Sequence, residues 1–324
     1  YFYEHFLAQE GSKRAHLKMP FAKNPVKTIL LRAFLMTFAE KSRKNHTFKS
    51  IFKAWSHKNE HSPNIRDASP VILLYPGIGL FSFAKNKQTA RVASEFYINA
   101  INVMRGAEAI STYTALPRQE AFDIEYWLLE EAKLQRMPKE KTLSRKIAFV
   151  TGAAGGIGKA ICDKLIKEGA HVVFVDLSEE RLQAMKDDYS ADIMTTICCD
   201  VTKTEAIDKA YKSACLYFGG IDIVVHSAGL AISKTLEDHT AEDWDILQNV
   251  LVKAQFELAQ KAAGLMKIQG LGGDIISIAS KNGVVSAPNN IGYGTAKAAQ
   301  QHMTRILAAE LGKAQIRVNV VNPD

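Results

Sequence analysis

The stretch that most constrains this chain is Lys146–Ala160, KIAFVTGAAGGIGKA, where a short apolar run meets spaced glycines and then a helical pattern. Ile147 to Val150 read as a buried parallel strand, because such strands are covered on both faces and carry continuous apolar residues. Gly152, Gly155 and Gly158 then permit a tight turn and a close backbone approach. The helix after them presents N–H groups without intrahelical acceptors to an anion, a geometry that suits a dinucleotide pyrophosphate. A glycine triplet alone is a weak signal, so its meaning depends on the residues downstream of it.

Downstream of the turn, apolar runs and helical patterns alternate steadily. Strands are expected at Ile147–Val150, His171–Val175, Ile193–Cys198, Ile221–Val225, Asp274–Ile278 and Ile316–Val321. Helices between them run to Glu168, to Asp188 and to Tyr217, then over Ala241–Met266 and Gly292–Leu311. Such alternation implies an α/β fold with a doubly wound parallel sheet, helices on both faces, over residues 146–324.

The same stretch supplies a site in order. Asp176 lies eighteen residues beyond Gly158 at a strand end, where its carboxylate would accept hydrogen bonds from ribose hydroxyls and repel a 2′-phosphate, favouring NAD over NADP. Taken alone it could equally be a turn or N-cap residue. Asp200, ending the third strand in CDVT, is placed to reach the adenine edge. Tyr293 and Lys297, in YGTAK, are an i, i+4 pair on one helix face. A tyrosine of ordinary pKa, about 10, exchanges protons poorly at neutral pH, and a neighbouring ammonium favours its ionised form. Ser280, thirteen residues earlier at a strand end, could hydrogen-bond the substrate oxygen.

On these residues the chain resembles the short-chain dehydrogenase/reductase family. The motifs are TGAAGGIG at 151–158, HSAG at 226–229, Ser280, YGTAK, and VNVVNP ending at Pro323. The resemblance implies a Rossmann fold, with Tyr293 as general acid or base, Ser280 orienting the reacting oxygen, and Lys297 binding the nicotinamide ribose. It extends the cofactor site to Gly152, Gly155, Gly156, Ile157, Gly158, Asp176, Asp200, Val201, Ala228, Gly229, Tyr293, Lys297 and Pro323. It also implies homo-oligomers pairing through helices 241–266 and 292–311. Three departures stand out. The family's N-N-A-G is HSAG here, which brings in His226 and Ser227. Leu251 stands where a helical Asn joins the family's proton relay, Asn249 facing elsewhere. The chain also stops after Pro323 and Asp324, before the family's last strand.

Upstream, residues 62–108 (SPNIRDASPVILLYPGIGLFSFAKNKQTARVASEFYINAINVMRGAE) and 116–138 (LPRQEAFDIEYWLLEEAKLQRMP) resemble the region joining the halves of bifunctional rhamnulose-1-phosphate aldolase/short-chain dehydrogenases. That resemblance implies a smaller α/β remnant of an aldolase-type domain before the sheet, and lactaldehyde as the dehydrogenase substrate. The aldolase's zinc-binding histidines would precede Tyr1, so no aldolase activity is expected of these residues. Within the region, Val71–Tyr75 reads as a strand, Thr89–Met104 as its helix in a βα unit, PGIG as a structural turn, Arg118–Gln135 as a second helix, and 137–145 as a linker.

Composition bounds the remainder. The 324 residues, 47% hydrophobic and 23% charged, suit two globular domains. The net charge of +7 is concentrated in residues 1–70, which carry 13 Lys or Arg against 5 Asp or Glu. That segment is otherwise hard to assign: helices are expected over Val26–Phe38 and Phe48–Trp55 and a polar turn at His61–Pro70. It contains no recognisable nucleic-acid module, so its charge reads as a solvated face rather than a nucleic-acid arm. His5, His16, His46, His57 and His61 match no metal spacing, and no metal is expected. The apolar run Thr28–Ala39 is interrupted by Arg32 and too short for a bilayer. Cys162, Cys198, Cys199 and Cys215 form no disulfide or zinc pattern and fit a reducing, cytoplasmic setting. Because the sequence begins at Tyr1 and ends on a strand-like run, a piece of a longer polypeptide is expected. The functional expectation is NAD-dependent hydride transfer on a small hydroxy-aldehyde or polyol. The alternative is a cofactor-binding or assembly module with weakened catalysis.

Overall fold

The computed structural model describes residues 3–5, 71–75 and 79–324. The helices expected over Val26–Phe38 and Phe48–Trp55, and His16, His46, His57 and His61, lie outside them. Two compact units are formed, one built on Lys141–Asp324 and the other on Thr89–Glu140 with the strands before it.

In the second unit β1 (Tyr3–His5), β2 (Ile72–Tyr75) and β3 (Gly79–Ser82) make an antiparallel sheet ordered β1-β3-β2, with Tyr75 opposite Gly79. The βα unit expected here is therefore interrupted by a second strand. Three residues separate β2 from β3, a hairpin length, and Leu80 and Phe81 of the returning strand are buried. Helix α1 (Lys87–Ile110) comes next, beginning two residues before and ending six residues after the range its periodicity indicates. The single helix expected over Arg118–Gln135 is two, α2 (Arg118–Glu125) and α3 (Leu128–Arg136), parted where Trp127 turns extended at φ −62°, ψ 135°. No glycine or proline there explains the break.

The first unit is the doubly wound sheet. Its strands are β4 (Ile147–Thr151), β5 (His171–Asp176), β6 (Met194–Cys198), β7 (Ile223–His226), β8 (Gly273–Ile278) and β9 (Ile316–Val321), all parallel, ordered β6-β5-β4-β7-β8-β9. The connecting helices are α4 (Gly156–Lys167), α5 (Glu179–Ala184), α6 (Thr204–Phe218), α7 (Ala241–Leu247), α8 (Ala254–Gln269) and α9 (Ile291–Leu311). Every residue of β4 is buried, which is why this strand shows no alternation. Phe149, Val224 and Ile275 face α6 and α8, packing on Ile207, Phe218, Leu258 and Met266. Val150, Phe174 and Val225 face the other way, toward Cys162 of α4 and Leu182 of α5. Each fully buried side chain of this size contributes roughly 1.5–3 kcal/mol.

Two differences bear on the site. The helix expected to Asp188 ends at Ala184 and continues as a 3-10 turn at Lys186–Asp188. The long helix expected over Ala241–Met266 is interrupted by a π turn, Gln248–Lys253, between α7 and α8. Apolar periodicity cannot reveal one inserted residue, and such π turns concentrate where a helix must re-aim its groups.

Candidate active site

The strand order reverses between β4 and β7, opening a crevice at their carboxyl ends. The glycine turn lies on one lip. Gly152 has φ +65°, and a Cβ there would sit 2.7 Å from the Ala228 Cα, so only glycine allows the turn to press against HSAG. A Cβ on Gly158 would sit 2.0 Å from the Gly152 carbonyl oxygen. Gly155, the N-cap of α4, is less confined, its Cβ position being 3.3 Å from that oxygen, and Gly156 faces open space. The first-turn N–H groups of Gly156, Ile157 and Gly158 have no acceptor within their helix. Bare backbone at Gly156, a helix N-terminus and open space in front of them fit a dinucleotide pyrophosphate.

Asp176 ends β5 beside this turn. Its Oδ2 accepts the Ala154 N–H at 3.0 Å and its Oδ1 the Ser178 N–H at 3.1 Å, so the carboxylate is oriented by backbone on both sides. Asp200 accepts from the Thr202 hydroxyl (2.7 Å) and N–H (2.9 Å) through Oδ1, and the Thr202 hydroxyl bond holds its carboxyl below the ordinary range. Val201 beside it is buried.

On the opposite lip, Ser280 lies just beyond β8, and its Oγ accepts from the Asn282 N–H at 3.2 Å, leaving its own O–H to donate. Its carbonyl accepts from Gln301 Nε2 of α9 at 3.0 Å. Lys281 N–H donates to the Pro323 carbonyl at 3.2 Å, which fixes Pro323 beside the serine. Tyr293 and Lys297 occupy successive turns of α9. Lys297 is only 5% exposed; its Nζ donates to the Ile278 carbonyl at 2.8 Å and lies 5.5 Å from the Tyr293 ring centroid. Burial pushes its pKa down to about 8. Among the described residues no direct hydrogen bond joins the Tyr293 hydroxyl to Ser280 or Lys297.

HSAG lies between the lips. A Cβ on Gly229 would sit 3.1 Å from Leu251 Cδ2, and Leu251 is fully buried in the π turn. The Leu251 carbonyl accepts from Gln300 Nε2 at 2.8 Å, and Asn249 is exposed on another face. Sequence reasoning misses Gln300 and Gln301, which tie α9 to the π turn and to Ser280. Their signal is present: two glutamines in phase with Ala296, Lys297 and Thr304, all buried on α9. Among the described residues no three His, Cys, Asp or Glu side chains converge as a metal site requires, and no helix is long and apolar enough to cross a membrane.

A phosphate-type cradle at the switch point of a doubly wound sheet, facing a Tyr–Lys pair, defines a nucleotide-binding oxidoreductase. Residues 146–324 match the short chain dehydrogenase family, and the chain belongs to that family, whose members bind NAD(P). Residues 33–134 match the second domain of class II aldolases. An uncharacterized oxidoreductase of Bacillus subtilis, YuxG, is 38% identical over 283 residues, which is 86% of this chain and 41% of that protein. The chain therefore spans less than half of that relative's length. An uncharacterized oxidoreductase of Staphylococcus aureus USA300 is 37% identical over 56% of this chain and 78% of its own. Among solved structures, a short-chain dehydrogenase/reductase from Mycobacterium marinum is 36% identical with a TM-score of 0.54, over 56% of this chain and 73% of that one. A 3-ketoacyl-(acyl-carrier-protein) reductase from Brucella melitensis, complexed with NADH, is 28% identical with a TM-score of 0.53, over 55% and 75%.

Proposed function

We propose that the chain catalyses NAD-dependent hydride transfer on a small hydroxy-aldehyde or polyol, with lactaldehyde the leading substrate. The observation that carries this reading is Lys297, a buried ammonium beside the Tyr293 ring and one strand end from Ser280. NAD, when bound, supplies the hydride acceptor or donor. Gly156, Ile157 and Gly158 hold its pyrophosphate through their backbone N–H groups, with Ala228, Gly229, Val201 and Pro323 lining the remainder. Asp176 accepts from the adenosine ribose hydroxyls, and its negative charge disfavours a 2′-phosphate; Asp200 reaches toward the adenine. Ser280 donates its hydroxyl hydrogen to the substrate oxygen. Tyr293 exchanges a proton with that same oxygen, and the Lys297 ammonium stabilises the phenolate while donating to the nicotinamide ribose. The match of residues 33–134 to the second domain of class II aldolases supports an aldehyde substrate, because aldol cleavage yields an aldehyde.

The test is Tyr293→Phe in the full-length protein. Turnover of lactaldehyde should fall at least about 100-fold while NADH binding, followed by fluorescence, persists. Turnover that survives the substitution would falsify the assignment.

The same proposal includes a homo-oligomer in a reducing, cytoplasmic compartment. Phe256 on α8 and Ile306 on α9, 48% and 52% exposed, give those helices apolar outer surfaces suited to pairing. Light scattering that finds only monomer would remove this element without touching the chemistry.

A further inference from the structure

Beneath Lys297 the sheet carries a polar row. Thr151 of β4, His226 of β7 and Ser277 of β8 are register partners across three central strands, and all are buried, at 0%, 2% and 0% exposure. They share the sheet face of Phe149, Val224 and Ile275, whose surroundings are otherwise apolar. Three polar side chains there are costly unless each is satisfied. They are satisfied only in part. Thr151 Oγ1 lies 3.1 Å from His226 Nδ1 and accepts the Ala228 N–H at 3.3 Å, so one hydroxyl holds both the imidazole and the HSAG backbone. His226 Nε2 and Ser277 Oγ make no hydrogen bond of ordinary geometry among the described residues. The carbonyls of Val250 and Leu251 in the π turn nevertheless lie close enough to His226 to favour its protonated form, and Lys297 lies close enough to oppose it. Lys297 itself bonds the carbonyl of Ile278, the residue after Ser277.

We propose that His226 is a positioning residue for proton transfer: clamped by Thr151, it presents a polar, uncharged Nε2 beneath the π turn and so sets the electrostatic environment of Lys297. The proposal rests on the role given above to Tyr293 and Lys297. The groups packed against the imidazole are the Thr151 hydroxyl from β4, the Ser277 hydroxyl from β8, the Val250 and Leu251 carbonyls from the π turn, and Lys297 from α9. Only Lys297 carries charge. Burial, aided by that ammonium, pushes the His226 pKa down to about 4, so the ring is neutral wherever Lys297 titrates. Leu251 supplies no polar side chain at this level, and His226 is the polar side chain that β7 places beside the π turn.

The experiment uses the full-length protein with NAD and lactaldehyde, and three variants. His226→Leu should lower kcat roughly tenfold or more and move the alkaline midpoint of its pH profile downward by about half a unit or more, with NADH affinity within about twofold. Thr151→Val, which frees the ring from its clamp, should move the midpoint the same way by less. His226→Asn, which restores a polar group, should recover most of the rate. A second readout needs no turnover: the Lys297-linked rise in stability above pH 8 should begin at lower pH in His226→Leu and in Thr151→Val. Unshifted midpoints in both assays for both variants overturn the proposal, and Thr151→Val decides alone if His226→Leu does not fold. Wild-type protein without lactaldehyde turnover would count against the proposed function instead, the stability shift then deciding this inference.

Discussion

Asp176 Oδ2 accepts the N–H of Ala154 at 3.0 Å, so the carboxylate that ends β5 is also a strut of the glycine turn. Its other oxygen holds Ser178 N–H at the start of the next helix. Asp176→Ala should therefore do two separable things. If Asp176 selects the cofactor as proposed, the substitution should narrow a preference for NAD over NADP, because the charge opposing a 2′-phosphate is gone. It should also lower stability without cofactor by about 1–3 kcal/mol, because two N–H groups lose their acceptor. Asp176→Asn keeps an acceptor oxygen and removes the charge, so cofactor titrations should shift while its thermal midpoint stays closer to wild type. A cofactor ratio unchanged in both variants would remove Asp176 from selection.

The glycines of the turn divide into positions closed in by backbone and one that faces open space. Gly152→Ala forces a Cβ at φ +65° to within 2.7 Å of Ala228, and Gly158→Ala one to within 2.0 Å of a carbonyl oxygen. Both should destabilise the apo-protein by several kcal/mol or prevent folding, since backbone rather than a flexible side chain must yield. Gly156→Ala meets nothing and lies in the first turn of α4, so its thermal midpoint should match or exceed wild type. Its NADH affinity should nevertheless fall, because the methyl enters the space proposed for the pyrophosphate. Unaltered binding would place the pyrophosphate elsewhere.

The sheet is legible in the sequence because buried parallel strands are short and uninterruptedly apolar. Ile316–Val321 coincides with its expectation, and the other five strands lie within two residues of theirs. The glycine turn and the placing of Tyr293 and Lys297 on successive turns of α9 are legible because both are set by local spacing. The hidden features depend on residues distant in sequence. The Thr151–His226 contact spans 75 positions, and no local pattern announces it. The π turn is a one-residue backbone adjustment with no local sign, because Leu247 and Leu251, both buried, keep the i, i+4 spacing of an ordinary helix face. The second strand of the hairpin, GLFS, escapes a sequence reading because glycine weakens a strand pattern, although Gly79 stands opposite Tyr75 at the turn end of the hairpin.

Lys297 should also be visible in stability. Its folded pKa, about 8, is below the ordinary 10.5, so between those values the folded protein holds fewer protons than the unfolded chain. Stability then rises with pH across that window, and burying the charged amine costs stability below pH 8. Compared with Lys297→Met, the wild type should gain up to about 3 kcal/mol from pH 8 to 10.5, at roughly 1.36 kcal/mol per unit. Denaturant melts of both proteins at matched pH measure this difference. Parallel curves would mean that Lys297 titrates normally and is better solvated than its burial implies.

Gln300 and Leu251 offer the last handle on the site. The Gln300 side-chain amide donates to the Leu251 carbonyl at 2.8 Å, and the Gln300 backbone carbonyl accepts from Gln255 Nε2 at 3.2 Å, so α9 is stitched to the π turn and to α8. Gln300→Met keeps length and packing but leaves the Leu251 carbonyl without that donor. The expected loss is about 0.5–1.5 kcal/mol, the net worth of one hydrogen bond, since the carbonyl keeps its place in the helix. If the π turn positions the floor under Lys297, kcat should fall while KM for NAD changes little, because Gln300 lies away from the glycine turn. Gln300→Glu, charged and buried, should be worse on both counts. A stability loss with kcat unchanged would show that the stitch holds the helices together without aligning the Tyr293–Lys297 pair.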